Sequence, residues 1–438
     1  MSRKKEEEKT TSNRCFLFLV IPAKAGIQTY LCHCEGRSNL IVNVYEIPSS
    51  WYDTGMESLT KQLEKYAITG HENLLGKRVL LRVDVNVPLG ENGAVDPGED
   101  WRITQAYKTI DFLTEKGARV IIMSHIGREK HESLRPIFEY MREHRTMGFL
   151  PRYDETLITT MVEGMQNGSI IMLENVRQFD NEEANDSSYL NILIPLCDLY
   201  VNDAFAVSHR AHASVHDITN YLPSYFGLQF IEEVSQLEKT LNAMEQGNSV
   251  LVLGGAKFGT KLDLLKRLLP RVDYALIGGA LANVFLRERG FEIGKSFVDD
   301  TDISDIKDNT KIILPIDVVD QEGDIVAVDE IGKNDIMLDI GPETEKLFET
   351  IIDQSKTVLW NGPMGKYEDE YTAGSIAVAD SIARSGAFSV TGGGDTATVI
   401  LEAGLQDNFD FVSTGGGAML EFLVKGTLPG IEAILNKK

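Results

Sequence analysis

The sequence predicts an α/β protein with two doubly wound parallel-sheet domains, which are joined by a long helix and separated by a cleft. Apolar runs alternate with helical patterns along both halves of the chain, which is typical of parallel sheets covered by helices on both faces. The runs of the first half end in charged and amide residues, whereas those of the second half end in glycine. With 438 residues, 43% of them hydrophobic, the chain can form two cores of ordinary domain size.

Residues 1–55 are predicted to be an N-terminal extension that is either disordered or the result of a mis-assigned start, with Met56 as the true start. The apolar run Phe16–Ile21 is too short to cross a membrane, and Pro22 interrupts it before a potential cleavage site, which does not favour a secretory signal. The whole chain has four cysteines, too few for a disulfide framework. A cytoplasmic location fits this composition best.

Four apolar runs predict the sheet of an N-terminal domain at residues 56–228. They are Arg78–Val83, Arg119–Met123, Ser169–Leu173 and Leu196–Val201. Because the carboxyl ends of parallel strands meet at one edge of a sheet, the polar residues after these runs are expected to lie together. These residues are Arg82, Asp84, Asn86, His125, Arg128, Glu174, Asn175, Arg177, Asn202, Asp203 and Arg210, joined by Arg102.

The arginines of this edge indicate a site for a small polyanion such as a sugar-acid phosphate. The formal net charge of −23 and the pI near 4.8 argue against nucleic acid or an anionic membrane as a partner of the whole surface. An anion site must therefore be built from locally gathered arginines, which bind carboxylate and phosphate bidentately. Taken singly, each arginine is better explained as a solvated surface charge, and only the whole group favours the anion site.

Residues 229–246 are predicted to form the inter-domain helix, since Phe230–Gln246 has apolar residues near helical spacing and no glycine or proline. A C-terminal domain at residues 247–420 follows, and its apolar runs end in glycine or in Asn-Gly-Pro. The runs are Val250–Leu253, Tyr274–Ile277, Val358–Trp360, Phe388–Thr391 and Phe409–Thr414. Residues 421–438 form a C-terminal segment, with a return to the N-terminal domain as a candidate path. The strand ends of the first domain thus carry arginines, whereas those of the second carry glycines with an accessible backbone. This division is expected if the first domain binds a phosphorylated acceptor and the second binds a nucleotide.

The stretch Phe388–Ile400 predicts a phosphate site in the second domain. A strand stops at three glycines and a helix begins with Thr396, so unpaired N–H groups at the helix start can bind an anion that glycine lets approach closely. Asp395 can then hold Mg²⁺ between phosphate oxygens. The alternative is a turn that uses glycine only for its backbone angles.

The segment GGAKFGTK at 254–261 is not a Walker A loop, because Thr260 stands where the motif requires lysine. Lys257 and Lys261 are four residues apart, so they are expected on the first helical turns with both amines reaching a transferring phosphoryl group. A solvated helix face is the alternative. Two other signals are not favoured: His209, His212 and His216 lack further zinc ligands, and no G-x-G-x-x-G of a dehydrogenase opens a first βαβ unit.

From about Leu74 to Leu435 the chain resembles the phosphoglycerate kinase family. The resemblance rests on RVDVNVP (82–88), SHIGR (124–128), LENVR (173–177), NDAFAVSHRAHAS (202–214), LGGAKFGTK (253–261), WNGPMG (360–365), GGGDTAT (392–398) and STGGGA (413–418). It implies two Rossmann-like lobes joined by a helix, and a reversible phosphoryl transfer between 1,3-bisphosphoglycerate and MgADP that gives 3-phosphoglycerate and MgATP. Small-molecule substrates and a monomer in the cytoplasm are expected, without nucleic acid or membrane partners.

The resemblance also implies roles for the matching residues. Asp84, Asn86, Arg102, His125, Arg128, Arg177 and Arg210 would hold the phosphoglycerate. Lys257, Lys261, Gly278, Gly279, Asn361, Pro363, Glu368, Gly393, Gly394, Asp395 and Thr396 would serve the nucleotide, with Asp395 as the Mg²⁺ ligand. Arg102, Lys261 and Gly394 would stabilise the transferring group. No residue acts as a nucleophile, because the acceptor carboxylate is already ionised at neutral pH.

Three departures from the family's pattern bear on these roles. Glu129 stands where the family usually has proline, Met337 replaces a usual glycine near the adenine site, and Phe411 replaces a common polar residue. The rival interpretation is a two-lobe binding protein without chemistry, or an inactive relative. Such a protein would not need Lys261 or Asp395, and both are present.

Overall fold

The computed structural model describes residues 16–21, 28–33, 40–44, 57–90 and 92–437. The first three ranges are strands β1 (Phe16–Ile21), β2 (Gln28–His33) and β3 (Leu40–Val44), which pair antiparallel in the order β1-β2-β3. The sequence patterns did not predict these strands. The rest of residues 1–55, on which the interpretation as a disordered extension or mis-assigned start also depends, lies outside the described residues.

A parallel six-stranded sheet forms the N-terminal lobe, as predicted. Its strands are β4 (Arg78–Val83), β5 (Arg119–Met123), β6 (Met147–Leu150), β7 (Ile170–Leu173), β8 (Leu199–Asp203) and β9 (Ser224–Phe226), in the order β6-β7-β5-β4-β8-β9. The short strands β6 and β9 were not predicted. The fourth predicted strand begins three residues late, because Ile194–Leu196 forms a 3₁₀ turn with Pro195 in it.

Helices cover both faces of this sheet. The helices of this lobe are α1 (Leu59–Glu64), which packs against the joining helix, and α2 (Trp101–Glu115), α3 (Arg135–His144), α4 (Glu155–Glu163) and the single turn α5 (Asp180–Glu183). Successive residues of β4 alternate between the two cores, since strand side chains point to opposite faces. Leu81 packs in one core with Leu113 of α2, and Leu80 packs in the other with Val162 of α4.

The joining helix α6 (Leu228–Met244) begins one residue and ends two residues earlier than the predicted range 229–246. Asp203, the last residue of β8, sets its start, because the Asp203 carboxylate accepts a hydrogen bond from the Phe230 N–H at 3.0 Å. The apolar face of α6 belongs to a core that contains Phe205 of the N-terminal lobe and Leu251 of the following sheet. The helix therefore packs against both lobes.

The C-terminal lobe has a second parallel sheet and a small antiparallel one. The parallel strands β10 (Ser249–Leu253), β11 (Tyr274–Ile277), β12 (Ile312–Ile313), β16 (Thr357–Asn361), β17 (Phe388–Gly392) and β18 (Phe411–Ser413) have the order β12-β11-β10-β16-β17-β18. The antiparallel strands β13 (Asp317–Val319), β14 (Ile325–Ala327) and β15 (Asp339–Ile340), in the order β14-β13-β15, were not predicted.

Seven helices complete the described chain. They are α7 (Phe258–Leu268), α8 (Gly279–Glu288), α9 (Pro342–Ile352), α10 (Ala373–Ser385), α11 (Gly394–Glu402), α12 (Gly416–Lys425) and α13 (Pro429–Leu435). Helix α13 lies against the N-terminal lobe, where the Gly430 N–H donates to the Ser208 carbonyl at 2.9 Å. Within the described residues, no helix has the length and apolar character needed to cross a membrane.

Candidate active site

The carboxyl ends of the N-terminal strands bring five of the predicted anion-binding residues together. The Arg102 guanidinium donates to the Asn86 carbonyl at 2.7 Å and lies 3.8 Å from the Asp84 carboxylate. The His125 Nδ1 lies 3.9 Å from the same carboxylate. The Asn86 side chain accepts from the Gly127 N–H at 2.9 Å. Asp84, Asn86, Arg102 and His125 therefore form one cluster.

Arg177 joins this cluster from the turn after β7, where its guanidinium donates to the Gly127 carbonyl. Burial lowers the pKa of Arg177 from its ordinary value, and the nearby Arg210 lowers it further. Arg210 and Arg128 are themselves exposed. Arg210 therefore adds positive charge from the rim, whereas Arg128 extends into solvent from the SHIGR loop.

The electrostatics of this edge favour an anion. Burial holds the pKa of His125 well below its ordinary value, and the positive charges of Arg82, Arg177, Arg102 and Arg210 lower it further. Like charges thus gather around a neutral, buried ring. A phosphate or carboxylate would relieve their mutual repulsion and could bind the guanidinium groups bidentately.

The loop after Arg128, where Glu129 replaces the usual proline, has its own shape. The Glu129 N–H donates to the Glu132 carboxylate at 2.6 Å. This carboxylate packs directly against Gly127, whose φ of 62° a residue with a side chain rarely adopts. Glu132 therefore closes the loop beside the anion cluster.

A cavity of about 590 Å³ in the C-terminal lobe gathers the predicted nucleotide-binding residues. Lys257, Lys261, Gly279, Pro363, Glu368 and Asp395 all line it. Its volume is within the range of small-molecule and cofactor sites. The cavity therefore brings two amines and two carboxylates of the prediction to one place.

Three other predicted residues are buried behind the cavity wall beside the glycine-rich turns: Gly278, Asn361 and Thr396. The Asn361 side chain donates to the Gly392 carbonyl, and the Thr396 hydroxyl accepts from the Gly362 N–H at 2.7 Å. Gly278 packs under Met364, where a Cβ atom would lie 2.6 Å from the sulfur. These residues are outside the cavity lining.

The strand, glycine turn and helix predicted around Gly393 are present, with one correction. The helix begins at Gly394, two residues earlier than predicted, so Asp395 and Thr396 lie in its first turn. Gly393 has a φ of 118°, which essentially only glycine adopts. A Cβ atom on Gly394 would meet nothing within 4 Å, so the helix start is open to a ligand.

Lys261 is a buried cation at this site. Its side chain is almost fully enclosed, and its amine donates to the Gly254 carbonyl. Burial lowers the pKa of Lys261 to about 8, while the Asp395 carboxylate acts in the opposite direction. An anionic ligand that reaches this amine would restore the interactions that it lost with water.

Lys257 differs from the prediction, because it precedes α7 instead of lying on its first turn. The helix begins at Phe258, which is buried in the core, and Lys257 is exposed. The two amines therefore do not share a helix face. Both still line the cavity, with Lys261 inside it and Lys257 at its edge.

The residues at the cavity fit a magnesium ion that is brought by a nucleotide. Asp395 supplies one carboxylate at the helix start, and Mg²⁺ is usually held by one or two carboxylates together with substrate phosphates and water. In the part of the chain that the structure describes, no three His, Cys, Asp or Glu residues are grouped as metal ligands. The remaining ligands would thus come from the phosphates and water.

An apolar wall of the cavity was missed by the sequence analysis. Its members are Ala282, Leu286, Phe297, Pro315, Val318, Ile336, Met337, Leu338 and Ile340. Phe297 is 63% exposed, which is unusual for a phenylalanine and typical of a ligand-facing surface. Met337, noted above as a departure from the family's pattern, lies in this wall. A flat apolar ring such as adenine would fit against it.

Glu233 connects helix α6 to the turn after β18. Its buried carboxylate accepts from the Ser413 hydroxyl at 2.7 Å, and from the N–H and the hydroxyl of Thr414 at 2.7 and 2.6 Å. A Cβ atom on the following Gly415 would lie 2.8 Å from the ring of Phe205 in the N-terminal lobe. The turn after β18 is thus fixed to α6 and to the first lobe at once.

The three histidines considered for zinc have three different partners. His209 accepts from the Arg210 side chain at 3.2 Å, His212 lies 4.0 Å from the Glu182 carboxylate, and His216 contacts the Asn185 amide at 3.1 Å. Each ring is therefore placed by its own contacts.

Comparisons with known proteins identify relatives of this chain. A family model described as phosphoglycerate kinase matches residues 70–426. The chain is 40% identical to the phosphoglycerate kinase of Desulfosudis oleivorans, covering 83% of this chain and 97% of the relative, and 40% identical to that of Dictyoglomus turgidum, covering 84% and 97%.

Two solved structures also resemble the chain. The phosphoglycerate kinase of Coxiella burnetii has a TM-score of 0.71 at 33% identity, covering 85% of this chain and 99% of the other. The phosphoglycerate kinase of Pyrococcus horikoshii has a TM-score of 0.74 at 28% identity, covering 84% and 98%. Sequence and fold therefore agree over most of the chain.

Proposed function

Because the chain belongs to the phosphoglycerate kinase family, and thus transfers a phosphoryl group reversibly between 1,3-bisphosphoglycerate and ADP, we propose that the two sites described above bind its two substrates. The arginine cluster of the N-terminal lobe takes the phosphoglycerate. The cavity of the C-terminal lobe takes the nucleotide, with the base against the apolar wall and the phosphates toward Lys257, Lys261 and Asp395.

The observation that supports this assignment best is the separation of the two kinds of site. Guanidinium groups recognise a compact polyanion, and they are gathered in one lobe. A deep cavity with one apolar side and a helix N-terminus recognises an elongated ligand with a base and phosphates, and it lies in the other lobe. A binding protein for a single sugar phosphate would not need the second site.

Catalysis in this proposal consists of positioning and charge stabilisation. The acceptor carboxylate is ionised at neutral pH, so no general base is required. Arg102 from one lobe, Lys261 from the other and the N–H groups at Gly394 stabilise negative charge on the transferring group. Mg²⁺ bound with the nucleotide at Asp395 would supply further positive charge between the phosphates.

The proposal also covers the oligomeric state and the cellular location. We infer a monomer, since each proposed site is built from one chain, and a cytoplasmic location, since Cys197 is a buried free thiol as expected in a reducing compartment. Sedimentation of the purified protein tests the first inference, and fractionation of the source cells tests the second.

A coupled assay of the full chain with 3-phosphoglycerate and MgATP tests the assignment of the sites. We expect turnover that depends on both substrates and on Mg²⁺. An Asp395→Asn variant should need more Mg²⁺ for half-maximal rate, while its KM for 3-phosphoglycerate stays the same. Equal Mg²⁺ dependence in the two proteins would contradict the role of Asp395.

A further inference from the structure

Four buried side chains form a continuous chain of hydrogen bonds behind the anion cluster. The Arg82 guanidinium lies 3.2 Å from His125 Nδ1, and its Nε donates to the Ser214 hydroxyl at 2.9 Å. The Ser214 hydroxyl donates to the Glu182 carboxylate at 2.6 Å. The four residues are between 0% and 4% exposed, so water does not compete for these bonds.

The contact between Arg82 and His125 fixes the protonation of the imidazole ring. Arginine has only hydrogen-bond donors and keeps its proton in proteins. The His125 Nδ1 must therefore accept, so it carries no hydrogen. A neutral ring then carries its single hydrogen on Nε2, because the two nitrogens of a neutral imidazole divide the donor and acceptor roles.

Arg82 has no freedom to turn away from the ring. Its Nη1 donates to the Val83 carbonyl at 2.5 Å, while its Nε is held by Ser214. Because Ser214 accepts from Arg82, its own hydrogen is directed to Glu182. The Glu182 carboxylate accepts two further bonds, from the Ser214 N–H at 2.9 Å and from the Tyr189 hydroxyl at 2.7 Å.

The direction of every bond in this chain is thus set by its two ends. Glu182, as a carboxylate, can only accept, and Arg82 can only donate. Among residues 57–90 and 92–437, no carboxylate forms an ion pair with Arg82 within 4 Å, so Glu182 is joined to it through the Ser214 hydroxyl. The buried Arg82 guanidinium therefore lies between the Ser214 hydroxyl, which connects it to the Glu182 carboxylate, and the imidazole of His125.

We propose that Glu182, Ser214 and Arg82 are positioning residues that hold His125 as a neutral ring with its hydrogen on Nε2. This hydrogen would be donated to an anionic oxygen of the phosphoglycerate. None of the residues that the structure describes accepts a hydrogen bond from Nε2. The inference rests on the proposed function of the anion cluster.

The surroundings of His125 agree with a neutral ring. The Asp84 carboxylate, 3.9 Å from Nδ1, favours a charged imidazole, whereas Arg82, Arg102, Arg177 and Arg210 oppose it. Burial and these arginines together hold the pKa of His125 well below its ordinary value. If Nδ1 were protonated, two hydrogen-bond donors, Nδ1–H and the Arg82 guanidinium, would face each other without an acceptor.

The tautomer can be measured directly on the ligand-free full chain labelled with ¹⁵N-histidine. Long-range proton–nitrogen NMR spectra distinguish a protonated from an unprotonated ring nitrogen, and a His125→Gln variant assigns the signal among the eight histidines. We expect an Nε2–H ring that does not titrate between about pH 5.5 and 8, unlike an ordinary histidine. An Nδ1–H ring, or an imidazolium in this range, would overturn the proposal.

A pair of serine variants then tests the chain of contacts. Ser214→Ala removes the hydroxyl between Glu182 and Arg82. Its matched control is Ser208→Ala, which removes a buried hydroxyl of the same segment that bonds to Asn202 and Ala204 instead. We expect Ser214→Ala to give a mixture of His125 tautomers and a KM for 3-phosphoglycerate raised about 10-fold, by analogy with the lower end of the loss seen when a residue that orients a metal ligand is replaced. Its KM for ATP should stay the same.

The comparison of Ser214→Ala with its control distinguishes positioning from a merely structural role. If Ser214→Ala and the Ser208→Ala control show the same tautomer and the same KM, the proposed positioning of His125 through Ser214 is wrong. If Ser214→Ala does not fold, Glu182→Gln, which keeps the shape of the side chain, takes its place with the same expectation. Because the NMR measurement needs no substrate, it decides the tautomer even if the assignment of the anion cluster fails.

Discussion

At the scale of single residues, Lys261 combines burial with charge in a way that the reaction can use. Its amine donates a hydrogen bond to the Gly254 carbonyl and interacts electrostatically with the Asp395 carboxylate, instead of being solvated by water. A preorganised cation in a site with little water stabilises developing negative charge strongly, because no solvent has to reorganise. Loss of the Lys261 amine is therefore expected to affect kcat.

We predict that Lys261→Ala lowers kcat by roughly 10²-fold or more, with little change in KM for either substrate, because loss of one preorganised stabiliser affects mainly the transition state. Steady-state kinetics of the purified variant measure both constants. An unchanged kcat would remove Lys261 from the mechanism. Lys266→Ala, on the same helix but partly exposed and paired with Asp305, is a matched control that should keep the full rate.

The pH dependence follows from the same residue. Since the pKa of Lys261 is lowered to about 8 by burial, the free enzyme should lose the positive charge, and with it kcat/KM, as the pH rises through this value. The sign for stability is opposite. Between about pH 8 and the ordinary lysine value of about 10.4, the unfolded chain binds more protons, so this group makes folding more favourable as the pH rises.

Arg177 should behave differently, because we place it at the phosphate of 3-phosphoglycerate, which is remote from the transferring group. An interaction that is equal in the ground and transition states changes KM and leaves kcat alone. We therefore predict that Arg177→Ala raises the KM for 3-phosphoglycerate while kcat and the KM for ATP change little. A large loss of kcat without a change in KM would place Arg177 at the transferring group instead.

At the scale of elements, the carboxyl group of Asp203 is buried at the junction between β8 and α6. Asp203 accepts from the Phe230 N–H at the start of α6, but one of its oxygens has no hydrogen-bond partner. Burial raises the pKa of Asp203 to about 7. The folded protein therefore binds a proton here at pH values where the unfolded chain, with an ordinary aspartate pKa of about 3.9, does not.

We predict that Asp203 destabilises the fold progressively as the pH rises from about 4 to about 7, because ionisation in the interior is unfavourable. Asp203→Asn keeps the acceptor for α6 and removes the charge, so its Tm should fall less than that of the wild type between pH 5 and pH 8. Thermal unfolding at both pH values measures this difference. The exposed Asp407→Asn is the control, and an equal pH slope in all three proteins would contradict the prediction.

At the scale of the whole molecule, two features remain to be tested: the N-terminal segment and the relation between the two lobes. Every residue of the proposed sites lies between Asp84 and Thr396. We predict that a chain starting at Met56 keeps full activity and stability, since residues 1–55 contribute no site residue. Activity and thermal unfolding of the shortened protein measure this, and a large loss of Tm would show that the extension stabilises the body.

We also predict that the lobes close when both substrates are bound. The two sites belong to separate sheets, whereas reacting atoms must come within about 3–3.5 Å of each other. The candidate hinges are α6 and the turn at Ser413–Gly417, which Glu233 links by hydrogen bonds. Hinges absorb backbone rotation at a few residues that end elements, and Gly415–Gly417 can do so at low energetic cost.

Small-angle scattering tests closure on the free protein, on each binary complex and on the complex with both substrates. The radius of gyration should fall partly with each substrate alone and most with both. An active enzyme with one unchanged radius of gyration in all four states would exclude large domain closure as the step that assembles the site.

The sequence by itself determined the fold class and named most residues of the candidate site. Alternation of buried runs with helical patterns is a local property, so the strands at Arg78–Val83, Arg119–Met123 and Tyr274–Ile277 were predicted to the residue. The carboxyl edge of a parallel sheet then places Asp84, His125 and their neighbours together without further information, because strand direction fixes where each run ends.

Only the tertiary structure decided which of these residues are buried, which face a ligand and which support the others. The apolar wall with Phe297 and the sheet β13–β15 depend on pairing between distant segments, which no local pattern records. The burial of Lys261 and the contact of Arg82 with His125 likewise arise from packing between elements. A pKa and a tautomer are set by the surroundings in space, so the sequence could name these side chains but not their charge states.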